Sequence, residues 1–100
     1  MKVLAILTLK AEVSLESIRA ELAHEIRGSW GLFASGVLRE AYATEIQSRV
    51  IFVIEANDLT AAERQLVRLP LIAAGVFNVE FMELRPFVNW SMLFARETGN

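Results

Sequence analysis

The sequence predicts one α+β domain with a four-stranded antiparallel sheet and two helices, in the order β-α-β-β-α-β. Three observations lead to this prediction. The chain has 100 residues, the size of one compact domain, and 54% of them are hydrophobic while 22% are charged. Short apolar segments of strand length alternate with segments in which apolar residues recur every three or four positions. Capping and turn residues stand between these segments and mark where each element begins and ends.

The first half of the chain predicts a strand followed by a long helix. Lys2 to Leu9 is a run of aliphatic residues that is apolar on both faces, as in a buried strand. Ser14 is a suitable N-cap for the helix, and Gly36 a suitable end, because glycine adopts left-handed conformations without a Cβ penalty. Apolar residues at helical spacing predict one core-facing stripe along this helix: Leu15, Ile18, Leu22, Ile26, Trp30 and Phe33.

The second half predicts two strands, a second helix and a last strand. The strands span 37–43 and 49–55 around a polar turn at 44–48, and the last strand spans 76–84 after a turn at 74–75. Asp58 is expected to cap the second helix, and Pro70 to end or kink it. Its apolar stripe comprises Leu59, Ala62, Leu66 and Leu69. The complete order is the split βαβ arrangement, a ferredoxin-like fold.

The predicted sheet lacks the polar face that exposure to water would require. Both helices of this arrangement cover one face, and the other face should alternate to polar residues if it were solvated. The strands over 2–9 and 49–55 are instead apolar on both faces. We therefore expect a homodimer in which two sheets pack face to face, and the sequence leaves open whether dimers assemble further.

The aromatic C-terminal residues form a separate unit in this prediction. Residues 1–86 form the domain, and residues 87–100 form a tail that packs on the domain or on its dimer partner. Phe87, Trp90 and Phe94 stand at helix-like spacing in this tail. A lid over a ligand pocket is the alternative interpretation.

Composition excludes several functional classes. The net charge is −2 with both signs interspersed, so no basic stripe predicts nucleic-acid binding. Apolar runs are far shorter than the roughly 18–20 residues of a membrane span. Without cysteine and with one histidine, a zinc site is not expected, and no nucleotide-binding motif predicts a cofactor. No cleavage site follows the apolar start of the chain, so we expect a cytoplasmic protein.

Several motifs resemble one known group of proteins. The stretch from Glu25 to Gly36, then Leu38-Arg39, Tyr42, Leu69-Pro70-Leu71 and the closing strand, is similar to the muconolactone isomerase branch of the dimeric α/β-barrel proteins. The resemblance covers about residues 22–90. It looks closer to the uncharacterised barrel proteins of the wider set than to the isomerase itself, through these residues: Trp30, Gly36, Arg39-Glu40, Tyr42 and Pro86-Phe87.

The resemblance implies cofactor-independent proton transfer on a small lactone, in a pocket between the sheet and the helices. It places Glu25 and Arg39 at the positions of a helix Glu and a strand Arg in that enzyme. Glu40 stands where the isomerase has a His beside the Arg. If that imidazole carries a proton in the isomerase, another group would have to carry it in this protein.

The residues themselves allow this chemistry and also a structural interpretation. Glu25 lies about 80° from the centre of the apolar stripe at about 100° per residue, so partial burial could raise its pKa toward that of a general base. A boundary Glu that reaches water or pairs with an Arg is the alternative. Arg39 and Glu40 are neighbours in a strand and should point to opposite faces. Arg39 could hold a carboxylate of Glu25 or of a substrate, whereas Glu40 would pair across the interface with Arg49 or Arg85.

The remaining candidates are aromatic or acidic side chains that could line a pocket. Tyr42 shares a strand face with Glu40 and not with Arg39, unless a bulge intervenes. Trp30 is expected mainly to pack in the core, with an N–H that could face a pocket, and His24 is expected on the exposed side of its helix. We predict two catalytic residues, Glu25 and Arg39, and four substrate-binding residues, Trp30, Glu40, Tyr42 and Trp90. Three functions remain open: an isomerase-like enzyme, a non-catalytic small-molecule binder and a dimerisation domain.

Overall fold

The computed structural model describes residues 1–45 and 48–95 and confirms the predicted fold. The elements are β1 (Lys2–Leu9), α1 (Leu15–Ala34), β2 (Leu38–Ala43), β3 (Arg49–Glu55), α2 (Leu59–Leu66), α3 (Pro70–Ala73) and β4 (Phe77–Leu84), followed by a 3₁₀ helix (Val88–Leu93). The strands pair in the order β2-β3-β1-β4, and every pair is antiparallel. This is the ferredoxin-like arrangement that the sequence predicts.

The predicted caps and glycine turns are confirmed. The side chains of Ser14 and Asp58 each accept a hydrogen bond from a backbone N–H in the first turn of α1 and α2. Gly36 and Gly75 have φ angles of +86° and +74°, a region that favours glycine. The predicted polar turn at 44–48 falls partly outside the described residues, because 46 and 47 are not among them.

Pro70 begins a helix, whereas the sequence predicts only that it ends or kinks one. α2 ends at Leu66, and Pro70 occupies the start of the separate short helix α3. Proline fits this position because its fixed φ suits the helix and its missing N–H would have no acceptor within the helix. The interruption leaves residues 67–69 as a connection between the two helices.

The hydrophobic core lies between the sheet and the helices. Val3, Ala5 and Leu7 of β1 are almost fully buried and belong to one cluster with side chains of the neighbouring strands and of α2. The other buried members of this cluster are Leu38, Phe52, Ile54, Ala62, Leu66 and Leu69. Alternate residues of each strand therefore face the helices, as the period of two requires.

The predicted core-facing stripe of α1 is wrong. Five of its six members lie 42–66% exposed, namely Leu15, Leu22, Ile26, Trp30 and Phe33, and we call these the outer stripe. α1 instead faces the core along Glu25, Gly28 and Leu32. The reason is close packing at Gly28, where a Cβ would lie 2.9 Å from Leu69 Cδ2. Because Gly28 has no side chain, this side of α1 can approach Leu69 closely.

The second face of the sheet carries no helix, and we call it the open sheet face. Residues paired across the strands point to the same side, as do Leu4 and Val53. The face has an apolar centre of Leu4, Ile6, Ile51, Val53, Met82 and Leu84. Polar side chains flank it on the edge strands: Glu40, Tyr42, Asn78 and Glu80. An apolar centre with a polar rim is the usual composition of a protein interface.

The C-terminal segment extends the molecule beyond the sheet. Its apolar side chains are 59–85% exposed: Phe87, Val88, Trp90, Met92, Leu93 and Phe94. The molecule measures 66 × 29 × 21 Å and its radius of gyration is 17.4 Å, against about 13 Å for a compact chain of this length. None of the described helices is both long and apolar enough to cross a membrane.

Candidate functional site

Glu25 is the one charged side chain that is buried among the described residues. Its Oε1 accepts a hydrogen bond of 2.9 Å from the backbone N–H of Leu71 in α3. α3 needs this acceptor, since its N-cap residue Leu69 has no side-chain oxygen and Pro70 has no N–H. A side chain on α1 therefore satisfies the first free donor of α3.

Two features of its surroundings act on the pKa of Glu25 in opposite directions. Burial raises the pKa of Glu25 above its ordinary value of 4.5, and the hydrogen bond from Leu71 lowers it in part. Every buried polar side-chain atom of the described residues has a partner, and Glu25 bonds only through Oε1, so Oε2 keeps access to solvent. One oxygen is held in place while the other remains able to accept a proton.

Arg39 bonds to the turn that follows α1 rather than to Glu25. Its Nε donates to the carbonyl oxygen of Gly36 over 2.6 Å, and its side chain is exposed. The register of β2 against β3 shifts between Leu38 and Glu40, which places Arg39 at a bulge of an edge strand. The bulge breaks the strict alternation from which Arg39 and Glu40 were expected on opposite faces. Both side chains are exposed, because β2 is an edge strand.

Glu40 and Tyr42 form a pair on the open sheet face, as their shared strand face predicts. The Tyr42 hydroxyl donates a hydrogen bond of 2.6 Å to Glu40 Oε1. This hydrogen bond and the negative charge of Glu40 raise the pKa of Tyr42 above its ordinary value. Within the chain, Arg85 pairs with Glu83 at 3.3 Å. The pairing of Glu40 with Arg49 or Arg85 of a partner subunit stays a prediction.

Trp30 lies on the surface, and the predicted packing of its ring in the core is wrong. Its side chain is 66% exposed and its ring stacks on Phe33, with centroids 5.4 Å apart. Both rings belong to the outer stripe, which faces away from the core-facing line of α1. A groove of about 310 Å³ lies beside them and is lined by Ile26, Ser29, Trp30, Phe33, Leu38 and Ala41.

Trp90 lies in the exposed tail, edge-on to the ring of Phe87 at 5.5 Å. The structure thus brings Glu40 and Tyr42 together and gives Glu25, Arg39, Trp30 and Trp90 other partners. The six predicted site residues do not converge on one pocket within a single chain.

Sequence reasoning missed a cavity of about 500 Å³ between α1 and α2. Its lining comprises Gly28, Gly31, Leu32, Ser35, Val37, Gln65, Arg68 and Leu69. The sequence signal was the pair of glycines in the middle of a helix, where glycine is unfavourable unless space or close packing requires it. Arg68 and Gln65 gave no local signal, because both read as ordinary surface residues.

No metal site was found in residues 1–45 and 48–95, where no group of three or more His, Cys, Asp or Glu side chains could hold an ion. His24 is exposed, as expected, and its Nδ1 lies 3.3 Å from Glu21 Oε2.

Comparison with solved structures identifies proteins of the same fold. Muconolactone isomerase superimposes with a TM-score of 0.70 at 19% identity, over 87% of this chain and 93% of that chain. The 5-chloro-2-hydroxyhydroquinone dehydrochlorinase of Burkholderia phenoliruptrix, in complex with 2,5-dihydroxybenzoquinone, gives a TM-score of 0.69 at 15% identity, over 85% and 94%. No family model matches the sequence, and no curated protein is similar to it.

These comparisons show that the chain has a ferredoxin-like α+β fold. The resemblance to muconolactone isomerase that the sequence indicates is confirmed at the level of the fold.

Proposed function

We propose that this chain is a cofactor-free enzyme that transfers a proton on a small lactone or carbonyl acid and works as a homodimer. Glu25 is the proposed general base. The observation that carries this proposal is the state of its carboxylate. Oε1 accepts a hydrogen bond from the Leu71 N–H, whereas Oε2 reaches solvent. Burial also raises the pKa of Glu25. A base with an elevated pKa accepts a proton more readily at neutral pH.

The proposed reaction is an isomerisation without net change in composition. Oε2 of Glu25 removes a proton from the carbon next to a carbonyl, and the electron pair moves toward the carbonyl oxygen. The same carboxyl group then returns the proton at a different carbon, so the carboxylate is regenerated. Arg39 is the proposed cation for a substrate carboxylate, since its terminal nitrogens are not used in the Nε bond to Gly36.

The structural neighbours support the choice of reaction class. One is named as an isomerase of a lactone, and the other as a dehydrochlorinase that binds 2,5-dihydroxybenzoquinone. Both names describe small oxygenated molecules. Trp30, Glu40, Tyr42 and Trp90 remain proposed substrate contacts. This requires a site completed by the partner subunit, because only Glu40 and Tyr42 meet within one chain.

A homodimer is proposed from the apolar surface. The open sheet face has an apolar centre with a polar rim, and an exposed face of this kind marks an interaction site. The tail over 87–94 presents large apolar side chains that its own domain does not bury, so we place it on the partner. A cytoplasmic location remains the expectation from the sequence.

Deuterium exchange tests the proposed chemistry. Unsaturated lactones and small keto acids are incubated with the protein in D₂O, and incorporation next to the carbonyl is followed by NMR. Glu25→Gln keeps an oxygen for the Leu71 N–H but cannot accept a proton, and we expect exchange to fall by about 100-fold or more. The matched control is Glu21→Gln, on the same helix, which should exchange like the wild type. Equal rates for Glu25→Gln and wild type would contradict the assignment.

Sedimentation tests the proposed dimer. Ile6→Glu places a charge in the apolar centre of the open sheet face, and we expect it to convert the dimer into a monomer. Ala20→Glu adds the same charge at an exposed position of α1 and should leave the dimer intact. A monomeric wild-type protein would refute the proposed assembly.

A dimerisation domain without catalysis is the second candidate, favoured by the contact that Glu25 makes. A carboxylate that caps α3 has a structural reason to be buried, independent of chemistry. This candidate predicts a dimer, no exchange with any substrate, and an effect of Glu25 substitutions on stability alone.

A further inference from the structure

The cavity between α1 and α2 exists because two glycines of α1 meet their neighbours differently. Gly28 is in tight contact, since a Cβ there would lie 2.9 Å from Leu69 Cδ2. Gly31 faces space, since a Cβ there would have no atom within 4 Å. The first glycine lets the helix approach, and the second leaves a volume of about 500 Å³ open. This volume falls within the usual range of small-molecule sites, about 300–1,000 Å³.

The lining of the cavity has two chemically distinct parts. Leu32, Val37 and Leu69 provide apolar surface. Ser35, Gln65 and Arg68 provide a hydroxyl, an amide and a guanidinium group. Apolar walls with a small number of polar groups are the usual composition of a site that binds and orients an organic molecule.

Arg68 is free to bind an anion. No described residue forms an ion pair or hydrogen bond with it, and it is therefore not neutralised by a carboxylate of the described chain. A guanidinium group matches a carboxylate through two parallel hydrogen bonds. With one cation and two neutral polar groups, the lining suits the single charge of a carboxylate better than the double charge of a phosphate.

We propose that this cavity binds a small monocarboxylic acid, whose carboxylate bonds to Arg68 and whose apolar body lies against Leu32, Val37 and Leu69. Gln65 supplies a further polar contact beside the carboxylate, whereas the Ser35 hydroxyl donates to the carbonyl oxygen of Leu32. Arg39 and Glu25 are not among the residues that line this cavity, and binding there does not require turnover at Glu25. It can therefore be tested whether or not the protein is an enzyme.

Benzoate is the probe, and its binding is followed by NMR titration of the full-length protein. We expect saturable shifts, with contacts between the ring protons of benzoate and the methyl groups of Leu32 and Val37. Gly31→Leu fills the cavity without a clash at its Cβ and should abolish binding. Ala20→Leu is the matched control on the exposed side of α1 and should bind like the wild type.

Arg68→Gln removes the positive charge without filling the cavity. Because Arg68 is exposed, we expect the variant to fold like the wild type. We expect about tenfold weaker binding of benzoate, equivalent to about 1.4 kcal/mol, and unchanged binding of neutral benzyl alcohol. Arg64→Gln, at the end of α2 and outside the cavity lining, is the matched control.

Four results would overturn the proposal. They are the absence of benzoate binding to the wild type at millimolar concentration, unchanged binding in Gly31→Leu, unchanged binding in Arg68→Gln, and inorganic phosphate competing as well as benzoate. None of these results bears on deuterium exchange at Glu25, so failure of this site and failure of the proposed activity are distinguishable.

Discussion

The buried carboxylate of Glu25 predicts a pH dependence of folding that a single substitution removes. Burial raises its pKa above 4.5 in the folded state, so the folded protein binds more protons than the unfolded chain between the two pKa values. The free energy of unfolding contributed by this group is therefore highest below the unfolded pKa and falls as pH rises through the folded pKa. Each tenfold difference between the two acid dissociation constants corresponds to about 1.4 kcal/mol.

Glu25→Gln isolates this contribution. The glutamine side chain can accept the same 2.9 Å hydrogen bond from Leu71 but does not titrate in this range. The measurement is urea unfolding of both proteins at equal concentration over about pH 4–8, since association shifts apparent stability. We subtract the free energy of unfolding of the variant from that of the wild type, so that contributions of the other carboxylates cancel. We expect this difference to decrease as pH rises and then to level off. A difference that is constant or increases with pH would refute the reasoning.

Glu25→Ala separates the hydrogen bond from the charge. It leaves the Leu71 N–H without an acceptor in a buried position, which costs about 1–3 kcal/mol in addition to any lost packing. We therefore expect Glu25→Ala to be clearly less stable than Glu25→Gln at every pH. Equal stability of the two variants would show that the Leu71 contact contributes nothing.

The remaining predictions concern packing and caps and are measured by urea unfolding at fixed protein concentration. Gly31→Ala should stabilise the protein by about 1 kcal/mol through helix propensity. Gly28→Ala should be less stable than Gly31→Ala, because its Cβ would lie 2.9 Å from Leu69 Cδ2 and this side chain would have to shift; equal stability of the two variants would contradict the close approach. Leu66→Ala, in the core, should lower the free energy of unfolding by about 2–5 kcal/mol, and Val67→Ala, at an exposed position, by less than about 1 kcal/mol. Similar losses for the two variants would contradict the burial of Leu66. Asp58→Ala should cost about 1 kcal/mol through loss of the N-cap, and no loss would mean that the cap is dispensable.

Local patterns predicted the elements well, and the details of the site poorly. Ser14, Asp58 and Gly36 marked element boundaries because capping and left-handed turns depend only on nearby backbone atoms. The burial of Glu25 was within reach of helical geometry, but its partner Leu71 was not, because the two residues are 46 positions apart. Arg39 was misplaced because one bulge breaks the alternation on which strand faces are assigned.

The exposed outer stripe of α1 shows where hydrophobic periodicity misleads. The period of Leu22, Ile26, Trp30 and Phe33 correctly predicted a helix but not which side of it would face the core. In a chain that assembles, a second apolar surface can serve a partner, so the most hydrophobic line of a helix need not be its buried line. The narrow line through Gly28 packs inward instead, because it permits the closest approach.

By itself, the sequence determined the order of strands and helices, their caps, and an apolar sheet face, since each follows from backbone geometry and side-chain period over a few residues. Only the tertiary structure decided which side of α1 is buried, how Glu25 caps α3, and that Gly31 and Arg68 line the same open-sided cavity. These features depend on how closely separate elements approach, and that distance is set by packing between residues far apart in the chain.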